Sequence, residues 1–129
     1  MELIAKPKGR PNGIAISPNG KLLYVANTDD RNIVAYDIDK NGKTSGERVF
    51  IANIEGPPDG IRVDEKGNLW VTCKGVAVYT AEGKLLKMIE IPEAPANCAF
   101  GDGDMQTLYI TARTSVYRIR LDVKGSVQY

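Results

Sequence analysis

Three polar residues open three similar stretches of this chain, and they are the first candidates for chemistry. Asn12 stands in PNGIAISPNGKLLYVAN (Pro11 to Asn27), Asp59 in PDGIRVDEKGNLWVTC (Pro58 to Cys73), and Asn97 in ANCAFGDGDMQTLYITA (Ala96 to Ala112). An amide oxygen and a carboxylate are hard ligands suited to Ca²⁺, Mg²⁺ or Mn²⁺, and a carboxylate can also act as a general base toward water. Histidine is absent from all 129 residues. That removes Ser-His-Asp and Cys-His catalysis, imidazole metal sites and any imidazole base. A local reading competes: Asn-Gly and Asp-Gly are common turn pairs.

These residues can act together only if the fold gathers them, and the repeat says how. Asp59 follows Asn12 by 47 residues and Asn97 follows Asp59 by 38; the aromatics Tyr24, Trp70 and Tyr109 move in step with them. Each copy reads as a short apolar strand, a Gly-containing turn and a second strand with an aromatic at its centre. A period of about 40 residues per four strands is the mark of a β-propeller. The remaining strands fall between the copies: Asn32–Ile38 and Arg48–Ile54 in the first blade, Val76–Thr80 and Lys84–Ile91 in the second, Ser115–Leu121 in the third. These runs are β-branched and aromatic, bounded by Gly, Pro, Asn and Asp. No segment keeps helical periodicity beyond one turn. The expected class is all-β: a propeller with blades at residues 11–56, 57–93 and 94–129.

Three blades do not close a ring, since propellers have four to eight. The third blade lacks its own outer strand, and a short strand, Glu2–Ala5, stands before the first. Residues 1–10 are therefore expected to complete a neighbouring blade. The expected assembly is a head-to-tail homodimer of two three-blade halves, making a six-bladed ring; a separate N-terminal half-propeller is the alternative partner. In such a ring Asn12 and Asp59 lie just before the innermost strands and point at the axis. A homodimer would present two copies of each.

Composition excludes other classes. With 43% hydrophobic and 26% charged residues and a net charge of +1, the chain has neither a disordered composition nor a field for nucleic acid. No apolar run reaches the roughly 18 residues of a membrane span, and the N-terminus shows no signal-peptide core. Cys73 and Cys98 are too few for a disulfide framework and sit in apolar runs, so they are expected as buried free thiols of a cytoplasmic protein.

The motifs PNGIAISPNGKLLYVAN, PPDGIRVDEKGNLWVTC and NCAFGDGDMQTLYITARTSVYRIRL, in this order, resemble the C-terminal half of the gluconolactonase/regucalcin-like (senescence marker protein) family, from about Glu2 to Gly125. The resemblance implies a six-bladed ring, a divalent metal at one mouth of the channel, and hydrolysis of sugar lactones or similar small esters. The implied ion is Ca²⁺ first, with Mg²⁺, Mn²⁺ or Zn²⁺ as alternatives. Its protein ligands are a Glu near the N-terminus, the Asn of a PNG motif and the Asp of a PDG motif. The last two are Asn12 and Asp59 here; the Glu, and an Asn from the blade before PNG, have no counterpart. The implied mechanism has the metal polarise the carbonyl while Asp59 assists water attack. Asn97 and Arg113 are expected as substrate contacts. The competing functions are a non-catalytic half-propeller binding or scaffold module, and a fragment complemented by an N-terminal half.

Other features read structurally. Asp37, Asp39, Asn41 and Gly42 match the start of a Ca²⁺ loop, but Arg48 stands where its closing acid belongs, so a hairpin turn is expected. Asp102 and Asp104 read as a turn, Tyr24, Trp70 and Tyr109 as core, and Arg118 and Arg120 as a solvent face.

Overall fold

The computed structural model describes residues 1–127. Among the described residues, eleven strands form three antiparallel sheets. The first sheet runs in order β1 (Pro11–Ile16), β2 (Leu22–Asn27), β3 (Asn32–Ile38), β4 (Thr44–Ile51). The second is β5 (Ile61–Val63), β6 (Leu69–Thr72), β7 (Val76–Tyr79), β8 (Leu85–Ile89). The third has three strands, β9 (Pro95–Gly101), β10 (Thr107–Ala112) and β11 (Val116–Arg120). The sheets meet through their first strands, β1 beside β5 and β5 beside β9.

Burial follows from that order. β6 and β7 are buried at every position, because the second sheet has a neighbour on each face and neither face needs polar residues. Tyr24, Ile33 and Ile51 of the first sheet pack with Ile61, Leu69 and Val71 of the second. Trp70 and Val78 turn the other way, onto Cys98, Leu108 and Ile110 of the third. The outer strands β4 and β8 are mostly exposed.

β1 and β9 each carry a β-bulge near their start, and the same two-against-one pairing stands just before β5. Pro11 pairs with Asn27 and Ile14 with Val25, so Asn12 and Gly13 both face Ala26. The Asp59 amide donates to the Thr72 carbonyl while the Thr72 amide donates to Gly60, so Asp59 and Gly60 share Thr72. In the third sheet Pro95 pairs with Ala112 and Asn97 with Thr111, which leaves Ala96 as the extra residue. Bulges re-aim the side chains they carry.

One expectation changes, that for Asn97; residues 2–5, expected to complete a neighbouring blade, have none beside them in a single chain. Glu2–Ala5 forms no strand within this chain; Ala5 packs on the free face of the first sheet beside Leu23, Val25, Val34 and Tyr36, and the Thr44 hydroxyl donates to the Ile4 carbonyl at 2.7 Å. Asn97 is not the third equivalent of Asn12 and Asp59. Counted from the bulge, it matches Gly13 and Gly60, and Ala96 holds the donor place. The Asp39 turn is a hairpin, its carboxylate accepting from the Asn41 and Lys43 amides at 2.8 and 2.9 Å. Cys73 and Cys98 are free and buried.

Candidate functional site

An open cleft of about 920 Å³ lies at the end of the molecule where the first strands begin. Asn12 and Asp59 both line it, with Arg10, Thr28, Cys73, Lys74 and Glu93 among the other walls. Each donor sits at the first position of its bulge, followed by a glycine. Neither Gly13 nor Gly60 has a positive φ, so the turn-pair reading of Asn-Gly and Asp-Gly fails here. The glycines are needed for space. A Cβ on Gly13 would stand 1.9 Å from the Asp59 carbonyl oxygen, and one on Gly60 2.2 Å from Asn97 Oδ1. The missing side chain at each bulge lets the next sheet come in against it.

The two donors are tied together by Thr28. Asn12 Nδ2 donates to Thr28 Oγ1 at 3.3 Å, and Thr28 Oγ1 donates to the Pro58 carbonyl at 2.9 Å. This engages the amide nitrogen of Asn12 and leaves its oxygen without a protein partner among the described residues. The Asp59 carboxylate likewise accepts no side-chain or backbone hydrogen bond among the described residues. Two unclaimed oxygen acceptors on one wall fit a hard divalent cation as part of its donor set. They do not complete one: Ca²⁺ takes about 6–8 oxygens, and no cluster of three His, Cys, Asp or Glu is present among the described residues.

Asn97 abuts Gly60 but does not line this cleft; its Oδ1 accepts from the Cys98 amide at 2.9 Å. Arg113 is exposed in the β10–β11 connection and also lies off the cleft wall.

Three contributors were missed in the sequence: Thr28, Lys74 and Glu93. Thr28 and Lys74 stand four residues after Tyr24 and Trp70, the place that Arg113 holds after Tyr109, a signal the repeat contained. Lys74 Nζ lies 2.5 Å from Glu55 Oε1, and Glu55 raises the lysine's pKa. Glu93 accepts from the Thr114 hydroxyl and from the Tyr117 hydroxyl at 3.2 Å; Thr114 first, then Ser115 and Tyr117, hold it below the usual carboxylate range. Glu55 and Glu93 stand four residues before Asp59 and Asn97. Burial pushes the Cys73 thiol up, away from the thiolate form.

The model of the SMP-30/Gluconolactonase/LRE-like region matches residues 1–114. The gluconolactonase of Zymomonas mobilis is 35% identical over 138 aligned positions, covering 97% of this chain and 38% of its own. Among solved structures, the gluconolactonase of Xanthomonas campestris is 36% identical with a TM-score of 0.80, covering 88% of this chain and 38% of that one. The calcium-binding protein regucalcin of Agrobacterium tumefaciens, at 22% identity and a TM-score of 0.79, shares the fold over 92% of this chain and 48% of its own. The chain thus spans less than half the length of these relatives. With 114 of its 129 residues under one family model, the chain belongs to the SMP-30/gluconolactonase/LRE-like family.

Proposed function

We propose that this chain is a three-bladed half-propeller that supplies part of the active site of a divalent-metal-dependent hydrolase acting on sugar lactones or similar small esters. The observation that carries the proposal is the pair of unclaimed oxygens, Asn12 Oδ1 and the Asp59 carboxylate, placed by successive bulges on one open cleft. Gluconolactonase relatives supply the substrate class.

Asn12 and Asp59 would hold the ion, Ca²⁺ being the best match to hard oxygen donors. When bound, such a cation polarises the lactone carbonyl and stabilises the negative charge that develops on its oxygen. Asp59 orients the attacking water and takes its proton. The water oxygen bonds to the carbonyl carbon, the ring carbon–oxygen bond breaks, and the proton passes to the departing ring oxygen, giving an open hydroxy acid. Thr28 positions Asn12 by holding its amide nitrogen. The lack of histidine is compatible with this scheme, since a carboxylate and a cation cover both needs.

The test is metal binding and chelator-sensitive lactone hydrolysis by the wild type, Asn12→Ala and Asp59→Ala. Both variants are expected to lose bound Ca²⁺, and Asp59→Ala to lose turnover by about 10²–10⁴-fold, the usual range for a general base. Unchanged metal content in both variants would remove the proposed site.

A further inference from the structure

A cavity of about 280 Å³ lies between the first and second sheets, at the end where β1 and β5 finish and opposite the cleft of Asn12 and Asp59. Its walls come from the β1–β2 turn, from Tyr24 on β2 and from the β5–β6 turn. Both sheets have all four of their strands here. Tyr24 is 2% exposed, and its ring packs on Phe50 at 5.3 Å. Its hydroxyl has no hydrogen-bond partner among the described residues. A tyrosine buried to this depth ordinarily gives its hydroxyl a partner. The hydroxyl is not sealed in either: the buried side-chain atoms that lack a partner are the amide oxygens of Asn27 and Asn32. What little of Tyr24 is accessible therefore opens onto this cavity. Burial raises its pKa, with the Arg48 guanidinium acting in the other direction, so the phenol keeps its proton at neutral pH and has an O–H to donate.

Two more donors without partners stand on the same walls. Asn19 Oδ1 accepts from the Ser17 hydroxyl at 2.7 Å and from the Lys21 amide at 3.0 Å. That fixes the orientation of the side-chain amide and leaves Nδ2 as its free side. Lys66 follows the buried Asp64, whose Oδ1 accepts from the Lys66 and Asn68 amides, both at 2.9 Å. The turn that carries the ammonium is thus tied at its base, and the ammonium itself enters no ion pair among the described residues. The one carboxylate on these walls, Glu65, accepts from the Lys124 amide at 3.4 Å. Three donors from three elements, none with an acceptor, match a ligand that brings only acceptors.

We infer that this cavity binds a phosphate-type oxyanion, with Tyr24, Asn19 and Lys66 as its donors. A tetrahedral oxyanion offers acceptor oxygens in several directions, which suits donors that reach it from one strand and two separate turns. Lysine serves such groups as a point charge. The site is separate from the cleft and needs neither the metal nor the hydrolase reading.

The test is a titration of the full chain with sodium phosphate at pH 7, chloride holding the ionic strength constant. It is followed by NMR of the amides of residues 17–21 and 64–68 and of the Tyr24 ring, with melting temperature read in parallel. Wild type, Tyr24→Phe and Lys66→Gln are compared. Tyr24→Phe keeps the ring in the core and removes the hydroxyl alone, and Lys66 is exposed; far-UV circular dichroism checks that both variants fold. The expected result is a saturable shift of these signals in the wild type and a melting temperature that rises with occupancy. Each variant is expected to bind phosphate about tenfold more weakly, the effect of losing one hydrogen bond to a charged group. Acetate, planar and with two oxygens, should bind the wild type more weakly than phosphate does. Wild-type signals that do not move would leave water as the partner of the Tyr24 hydroxyl and overturn the inference. So would an equal rise in melting temperature in all three proteins, which is the general effect of an excluded salt, or acetate binding as tightly as phosphate.

Discussion

Asn12 and Asp59 depend on the residue that follows each of them. Gly13 admits the backbone of Asp59, and Gly60 admits Asn97. Gly13→Ala must therefore displace main chain rather than a side-chain tip. It is expected to lower the unfolding free energy by about 1–3 kcal/mol, the range for overpacking, as read by urea unfolding. Gly103→Ala is the control: it meets open space and should change stability by no more than about 0.5 kcal/mol. Equal effects would show that close approach at Gly13 is not what the glycine provides. The donor types were legible in the sequence, because PNG and PDG stand at matching places. The role of the glycines was not, since a residue pair that makes turns elsewhere makes a close contact here. Asn97 was misplaced for a similar reason: its polarity matched the pattern, whereas the ladder counts from Thr111 and gives the donor place to Ala96.

Among the elements, the β9–β10 turn shows how polar side chains fix the third sheet. Asp102 accepts from the Thr107 hydroxyl and from the Tyr109 hydroxyl at 2.6 Å, which lowers its pKa. Asp104 binds the Arg120 guanidinium on β11, which lowers its pKa from 3.8 to about 2. A carboxyl lowered in the fold adds stability above its ordinary pKa, and that contribution fades as pH falls from 3.8 toward about 2. Asp104→Asn is expected to lower the melting temperature at pH 6 and to flatten its decline across that acid window. Carboxyl-carbon NMR titration of the wild type should place the Asp104 midpoint near 2; a midpoint at 3.8 would break the argument. The sequence marked 102–104 as a turn, and so it is. It read Arg120 only as a solvent-facing residue, because alternation along a strand gives a side chain's face but not its partner sixteen residues away.

For the whole molecule, cohesion depends on the two junctions that the second sheet makes with its neighbours. Trp70 belongs to the junction with the third sheet. Its ring meets Phe100 edge-on at 5.5 Å, and its Nε1 donates to the buried Asp64 at 3.0 Å. Trp70→Ala should cost about 3–5 kcal/mol and loosen the third sheet first, visible as early hydrogen exchange over β9–β11. Uniform loss of protection across all three sheets would show that the junction is not a separate seam. Local pattern by itself determined the three repeats, the strands, the two oxygen donors and the absence of any imidazole, because strand alternation and residue type are written within a few neighbouring positions. The tertiary structure alone decided the bulge register, the Thr28 link between the donors, the cleft walls at Lys74 and Glu93, and the backbone bonds from Lys124 and Ser126 to Glu65 and Val63. Those depend on which sheets pack against which, over separations of tens of residues, and a one-residue bulge shifts a donor while leaving the composition unchanged.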